Sequence, residues 1–504
     1  MTLNLRKAKL FFLNAAILTS TAFLMRTIGI SFSVHISNKI GAEGVGIFQL
    51  IMSVYLFAVT VASSGISIAT TRLVTEEITK SSYSGAKKVV KQSILYSLLF
   101  SIVAGIILIL LADFIANDCL HGKISTIPLY IISVALPFIS MSSAINGYFS
   151  AIRKVSKTAS SQIFEQIVKV TITVYLLSLF LPNGINYACI ALVVGDVISE
   201  IASFLFIFTL YTFEKRKKKS LDKCEKSYTK DIFKISIPIA LTSYLRSGLS
   251  TFKQLIIPLR LEKSGLSCDT SLAQYGMITG MVLPIIFFPS VLINSFSSLL
   301  IPEFSYYYAE KNYKQINRIA TRIFKSTLIF SICVFGVFFT FSDSLSYFIY
   351  HTHDISGYLM VISPLIILMY LDTIVDGMLK GLNEQVSVMK CNILDLFVSI
   401  SLLYMLLPIF GINGYIIVLF ISEILNTTIS IKQLTKISKN KINYIYWVIL
   451  PLSGVLLSRY IIKIFNLNNN ENISSLIFGI ILYVSIYVGY LFFTSCISKK
   501  DLKI

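Results

Sequence analysis

Charge is what this sequence has least of, and negative charge least of all. Only 14% of its 504 residues are charged, with 25 acids against 44 lysines and arginines. So little charge on so long a chain excludes an ordinary soluble fold, in which about 25% of residues are charged. Enzymatic signatures are missing too. The four histidines, His35, His121, His351 and His353, form no HExxH, the seven cysteines form no CxxC pair, and there is no Gly-rich phosphate loop. A zinc site, a disulfide framework and ATP hydrolysis by this chain are therefore not expected, and neither is an enzyme, a cofactor or a bound metal. Cys119 and Cys268 are the two thiols placed to face outward together.

Apolar residues make up 55% of the chain. A helix needs roughly 20 of them in a row to cross a hydrocarbon core about 30 Å thick. Candidate stretches lie near 10–37, 47–70, 92–117, 126–150, 160–181, 185–212, 233–257, 272–301, 320–342, 357–379, 386–409, 412–431, 443–464 and 474–496. A membrane β-barrel would alternate apolar and polar residues, whereas Ile102–Leu111 is apolar throughout. The expectation is an all-α polytopic membrane protein with about fourteen transmembrane helices.

Positive charge is gathered into alternate gaps. Of the 44 basic residues, 33 lie on one side, and only Lys39, Lys123, Arg260, Lys263 and Lys463 lie on the other. The positive-inside rule then puts both termini in the cytoplasm and requires an even number of spans. The run Lys215–Lys219 reads as a cytoplasmic loop on anionic lipid, so the net charge of +19 does not imply nucleic acid. The apolar run after Leu10 is too long for a cleavable signal peptide and carries no small-residue cleavage site, so helix one is expected to stay as an anchor.

An internal repeat divides the spans. Asn146-Gly147 and Asp376-Gly377 open two gapless stretches of about twenty residues that set Glu165 opposite Asp395. Twelve residues after Gly184 and after Gly411 stand Asp196 and Glu423. Each copy starts after an even number of spans, so the repeats are parallel, related by an axis along the membrane normal. The chain is read as an N-terminal lobe of six helices (1–212), a basic cytoplasmic linker (213–230), a second six-helix lobe (231–437), and two further helices with a cytoplasmic tail (438–504). Two such pseudo-symmetric lobes enclose a central cavity that opens to each side in turn.

A charge at bilayer depth costs several kcal/mol unless paired or wet, so each one left inside a span is a candidate functional residue. Arg26 lies near the middle of helix one, and Arg246 and Lys253 lie seven residues apart in helix seven, on one helical face. These three cations suit an anion such as a phosphate, which Arg grips bidentately and Lys meets as a point charge. Pairing with buried acids for structure alone is the competing reading. Glu165 and Lys169 have the i, i+4 spacing of an intrahelical ion pair. Asp196 with Glu200, and Asp372 with Asp376 and Lys380, share faces that fit ion coupling or gating salt bridges between lobes. Gln49 and Gln274 fit hydrogen bonds to sugar hydroxyls, with ordinary interhelical contacts as the competing reading.

The run Gly41-Ala42-Glu43-Gly44-Val45-Gly46-Ile47-Phe48-Gln49-Leu50, with Leu245-Arg246-Ser247, Ala273-Gln274-Tyr275-Gly276 and Ile301-Pro302-Glu303, resembles the stage V sporulation protein B family of polysaccharide-biosynthesis flippases. The resemblance spans nearly the whole chain. It implies membership of the multidrug/oligosaccharidyl-lipid/polysaccharide exporter superfamily, with MurJ-type lipid II flippases as relatives. It further implies a cell-membrane transporter that moves an undecaprenyl-pyrophosphate-linked glycan between leaflets, for the cortex in sporulating bacteria, with cell-wall synthesis enzymes as candidate partners. Arg26 matches the first arginine of the MurJ-type helix one, but Phe32 and Ser33 stand where those flippases carry an Arg-Asp pair.

Two other classes compete. A cation-coupled multidrug antiporter of the same superfamily would need an acid-dominated cleft. A membrane-embedded glycosyltransferase would need large outer loops with acidic motifs, and the outer loops here are short.

Overall fold

The computed structural model describes residues 2–80, 82–119, 125–217, 226–438, 445–465, 472–494 and 496. Cys224, His121, the Lys218–Lys219 part of the basic linker and the C-terminal tail lie outside them, as does the side chain of Cys119. Every regular element among the described residues is helical. In order these are α1 (Thr2–Ser63), α2 (Ile66–Thr79), α3 (Tyr83–Phe114), α4 (Ile127–Ala151), α5 (Val155–Phe180), α6 (Ile185–Lys217), α7 (Thr229–Glu262), α8 (Cys268–Gly276), α9 (Leu283–Ile286), α10 (Ser290–Ala309), α11 (Tyr313–Thr340), α12 (Ser342–Tyr350), α13 (Ser356–Ile362), α14 (Leu365–Gly381), α15 (Gln385–Phe410), α16 (Ile412–Ser438), α17 (Leu450–Ile464) and α18 (Ile473–Phe493). A π-helical stretch, Met277–Val282, joins α8 to α9.

Among the described residues ten helices are long and apolar enough to cross a membrane, or twelve if each of two bent pairs is one span. The expected fourteen differ from these twelve in two places. Ser20–Thr79 counts once in that tally although it holds two apolar stretches. The other is α7, where Arg246, Lys253 and several hydroxyl side chains dilute the apolar run.

Helix boundaries near the start correct the expectation. The gap between 37 and 47 is helical, interrupted only at Gly41, whose φ of 69° and ψ of 178° belong to a region open essentially to glycine. The second expected helix, 47–70, closes at Ser63 and is followed by α2, with Gly65 in the left-handed conformation between them. Caps fix other boundaries. Ser82 Oγ accepts from Gly85 N at 3.2 Å before α3, and Asn312 Oδ1 accepts from Gln315 N at 3.2 Å before α11.

The chain divides into two compact units. The first holds 1–32, 40–262 and 267–276, and the second holds 33–39, 263–266 and 277–504. The described parts of the linker, 213–217 and 226–230, thus fall inside the first unit, together with α7. The core of the first unit gathers Leu73, Val89, Ile145, Phe149, Ile207, Tyr228 and Ile232 from five helices or their flanks. At its edge Lys154 Nζ meets the buried Glu214 Oε1 at 2.6 Å, which ties the α4–α5 turn to the end of α6. The second unit includes a core of Ile332, Phe341, Val455, Ile462, Tyr483 and Tyr487, where α17 and α18 pack on α11. Tyr487 OH donates to the Ile329 carbonyl at 3.1 Å. The Arg459 guanidinium lies 3.9 Å from the Phe339 ring centroid, a cation–π contact that lets a charge sit in an otherwise apolar helix.

Candidate functional site

Within the first unit, the stretch of α1 after Gly41 and the middle of α7 line a cavity of about 390 Å³. Residues recurring every three or four positions build each wall: Ser53, Leu56 and Thr60 on α1 with Ser64 just past its end, and Ser243, Arg246, Ser247, Ser250, Thr251 and Gln254 on α7. Leu56 is the one apolar side chain in this lining, Arg246 the one charge, and no carboxylate contributes to it. The walls are joined by side chains of α7. Thr251 Oγ1 donates to the Ser53 carbonyl at 3.0 Å, Tyr244 OH to the Val61 carbonyl at 2.9 Å, and Ser247 Oγ to Thr60 Oγ1 at 3.2 Å. Tyr275 OH donates to Gln254 Oε1 at 3.4 Å, which leaves the Gln254 amide hydrogens for the cavity. A lining of hydroxyls, an amide and one guanidinium offers hydrogen-bond donors to an anion or to a sugar.

The other expected binding residues are not among those that line this cavity. Arg26 is half-buried on α1 before the kink, and Gln49 is half-buried after it. Lys253 is half-buried on α7 and is not part of the lining, although its spacing from Arg246 puts both on one face. At about 100° per residue, Arg246 marks the edge of the arc that faces the cavity, and Lys253 falls about 20° beyond it. Gln274 lies on α8, its Oε1 buried with no hydrogen-bond partner among the described residues.

The acids form a separate cluster in the same unit. Lys169 Nζ stands 2.8 Å from Asp196 Oδ1, joining α5 to α6, and the Asp196 side chain is only 8% exposed. This corrects the expected Glu165–Lys169 pair: the lysine bridges to the neighbouring helix instead. Lys169 also stands 6.0 Å over the Phe32 ring. One turn along, Glu200 Oε1 accepts from Tyr55 OH at 3.0 Å, so α1 is bound to the acidic face of α6.

In the second unit Asp372 Oδ2 accepts from Asn426 Nδ2 at 2.9 Å, and Asp376 Oδ2 lies 3.8 Å from Lys380 Nζ, as their i, i+4 spacing predicts. Asp395 Oδ1 accepts from Ser422 Oγ, and Cys391 Sγ donates to Asn426 Oδ1 at 3.0 Å. Sequence reasoning missed Ser422 and Asn426. Their spacing of four with Ser430, on an apolar helix, was the available signal. Among the described residues no group of three or more His, Cys, Asp or Glu is arranged to hold a metal ion.

The sequence profile of the polysaccharide biosynthesis protein family matches residues 12–308. Stage V sporulation protein B of Bacillus subtilis (strain 168) is 23% identical over 435 residues, which cover 85% of this chain and 84% of that protein. The solved structure of a lipid II flippase MurJ, in an inward closed conformation, superposes with a TM-score of 0.70 at 16% identity, covering 96% of this chain and all of the other. An inward-facing multidrug resistance MATE family transporter of the MOP superfamily superposes with a TM-score of 0.66 at 13% identity, covering 85% of this chain and all of the other. The fold is that of these transporters, and the chain is a multi-pass membrane protein.

Proposed function

Because the chain belongs to the polysaccharide biosynthesis protein family, we propose that it is a flippase that carries an undecaprenyl-pyrophosphate-linked glycan across the cytoplasmic membrane by alternating access. The observation that carries this reading is the cavity between α1 and α7, in which hydroxyls and an amide surround Arg246 and no carboxylate lines the wall. A pyrophosphate carries at least two negative charges, and cations held at low dielectric offset its desolvation. Arg246 grips it bidentately, with Arg26 as a second cation and Lys253 assisting from the edge of the same helix face. Gln49 and Gln274 contact the glycan, and the polyprenyl tail stays in lipid.

The repeat organises the transport cycle in this proposal. Lobes 1–212 and 231–437 rock about the central cavity, the linker 213–230 and both termini lie in the cytoplasm, and 438–504 supplies helices outside the repeat. Asp196, held by Lys169, serves gating. Asp372 and Asp376 couple transport to a cation. The sporulation relative favours a peptidoglycan precursor for the spore cortex, with cell-wall synthesis enzymes as partners.

The MATE-like fold keeps a multidrug antiporter as the second reading. An organic cation, however, would meet a guanidinium in a wall without acids. Purified protein in proteoliposomes, given a fluorescent polyprenyl-pyrophosphate saccharide in one leaflet, is expected to equilibrate it between leaflets. No acceleration over empty liposomes, together with sodium-dependent efflux of cationic dyes, would replace the flippase with the antiporter.

A further inference from the structure

Gly46 on α1 and Gly276 at the end of α8 pass each other with no room for a side chain. A Cβ on Gly46 would overlap the Leu272 carbonyl oxygen, and one on Gly276 would overlap the Ala42 carbonyl oxygen and stand 2.6 Å from Gly46 N. The obstacles are backbone atoms of packed helices, which cannot swing aside as side-chain ends can.

These two contacts are one contact repeated. Gly46 and Gly276 stand 230 residues apart, and so do Ala42 and Leu272, and so do Asn146 and Asp376 where the internal repeat is plainest. Residue i of one copy meets residue j of the other, and j of the first meets i of the second. That reciprocity marks an isologous contact, which lies on a twofold axis. In parallel repeats the axis runs along the membrane normal, so the crossing sits on the line that a central pathway has to follow.

The crossing lies between the Gly41 break and the α7–α8 junction, whose few basic residues, Lys39, Arg260 and Lys263, put it on the outer side in the topology proposed above. The geometry points to this glycine crossing as the outward gate of the transport path, with α1 and α8 closed backbone to backbone when the outside is shut and parted when it opens. Glycine suits that task. Close backbone approach excludes water without interlocked side chains or ion pairs that each opening would have to break. The inference rests on the alternating-access reading.

The experiment places a cysteine at Leu272, which is 3% exposed, and maps maleimide labelling of the purified protein by peptide mass spectrometry. Gly46→Ala and Gly276→Ala each press a methyl against the partner backbone, an overpacking that favours the parted state. Each is expected to speed labelling at position 272 on the order of tenfold. Gly29→Ala, whose Cβ meets nothing within 4 Å, is expected to leave it unchanged. Unchanged labelling in both crossing variants would overturn the gate. So would labelling of the buried Cys391 in step with position 272, because the crossing would then hold the fold together and guard no path. Leaflet exchange by the unaltered protein is scored separately, and its absence would remove the flippase while leaving the labelling result to decide the gate.

Discussion

At the scale of single residues, the cavity and the acid cluster ask different things of their cations. Arg246 faces a lining without acids, so its charge is available to a ligand. Arg246→Ala removes charge-assisted hydrogen bonds that contribute about 1.5–3 kcal/mol, and leaflet exchange of the pyrophosphate lipid is expected to slow by roughly 10- to 150-fold. Arg246→Lys is expected to fall between, since an ammonium supplies the charge without the planar fork. Lys169 instead neutralises Asp196. Lys169→Met leaves a buried carboxylate alone and is expected to cost about 3 kcal/mol, the low end of the range for a broken buried pair, because the lysine side chain is 24% exposed. Thermal unfolding in detergent should show the loss, and the double change Lys169→Met with Asp196→Leu should recover most of it. The charges themselves were legible in the sequence, but not this partnership. Spacing along one helix pairs Lys169 with Glu165, and only the packing of α5 on α6 brings Asp196 within reach. Asn426 and Ser422 escaped for a related reason, since a polar residue on an apolar helix reveals a need for a partner without saying which helix supplies it.

At the scale of helices, apolar length located most of the spans, and what it misjudged is where they break. The gap between the first two apolar stretches read as a loop because Asn38, Lys39 and Glu43 interrupt it. In the structure helical backbone continues through those residues and turns at Gly41 alone. A polar residue can stay in a helix whose side chains reach an aqueous boundary, whereas a backbone angle of this kind needs glycine. Gly41→Ala is therefore expected to cost about 1–3 kcal/mol of stability. The same substitution at Gly29, inside the helix and in open space, should be neutral or slightly stabilising. Denaturation of the two variants side by side checks this, and equal stabilities would mean that α1 can straighten without penalty. The face of α7 was half legible in the same sense. Its period of three to four hydroxyls was in the sequence, but the arc that faces α1, and hence the exclusion of Lys253 from the lining, depends on how the helix is rotated.

At the scale of the whole molecule, the alternation of basic and charge-poor gaps is the feature that a membrane reads. It is a sum over many lysines and arginines, so it can be read without any knowledge of packing. The division into compact units was not legible in this way. The repeat assigns α7 to the second lobe, whereas its contacts group it with α1, because a repeat records ancestry and contacts record one arrangement of the chain. The topology makes a prediction that binding data do not. A cysteine at Ser264, between α7 and α8, is expected to react with an impermeant maleimide added to intact cells, and one at Ser227 only after the membrane is opened. The opposite pattern would invert the proposed orientation and turn the α1–α8 crossing to the cytoplasm. The direction of transport can be scored in the same cells. With its charge-poor loops outside, a flippase loaded from the cytoplasm should present the glycan to an impermeant lectin at the cell surface. Surface lectin signal should fall in the Arg246→Ala strain by the same factor as leaflet exchange in liposomes, if the guanidinium acts on the lipid-linked pyrophosphate in both settings.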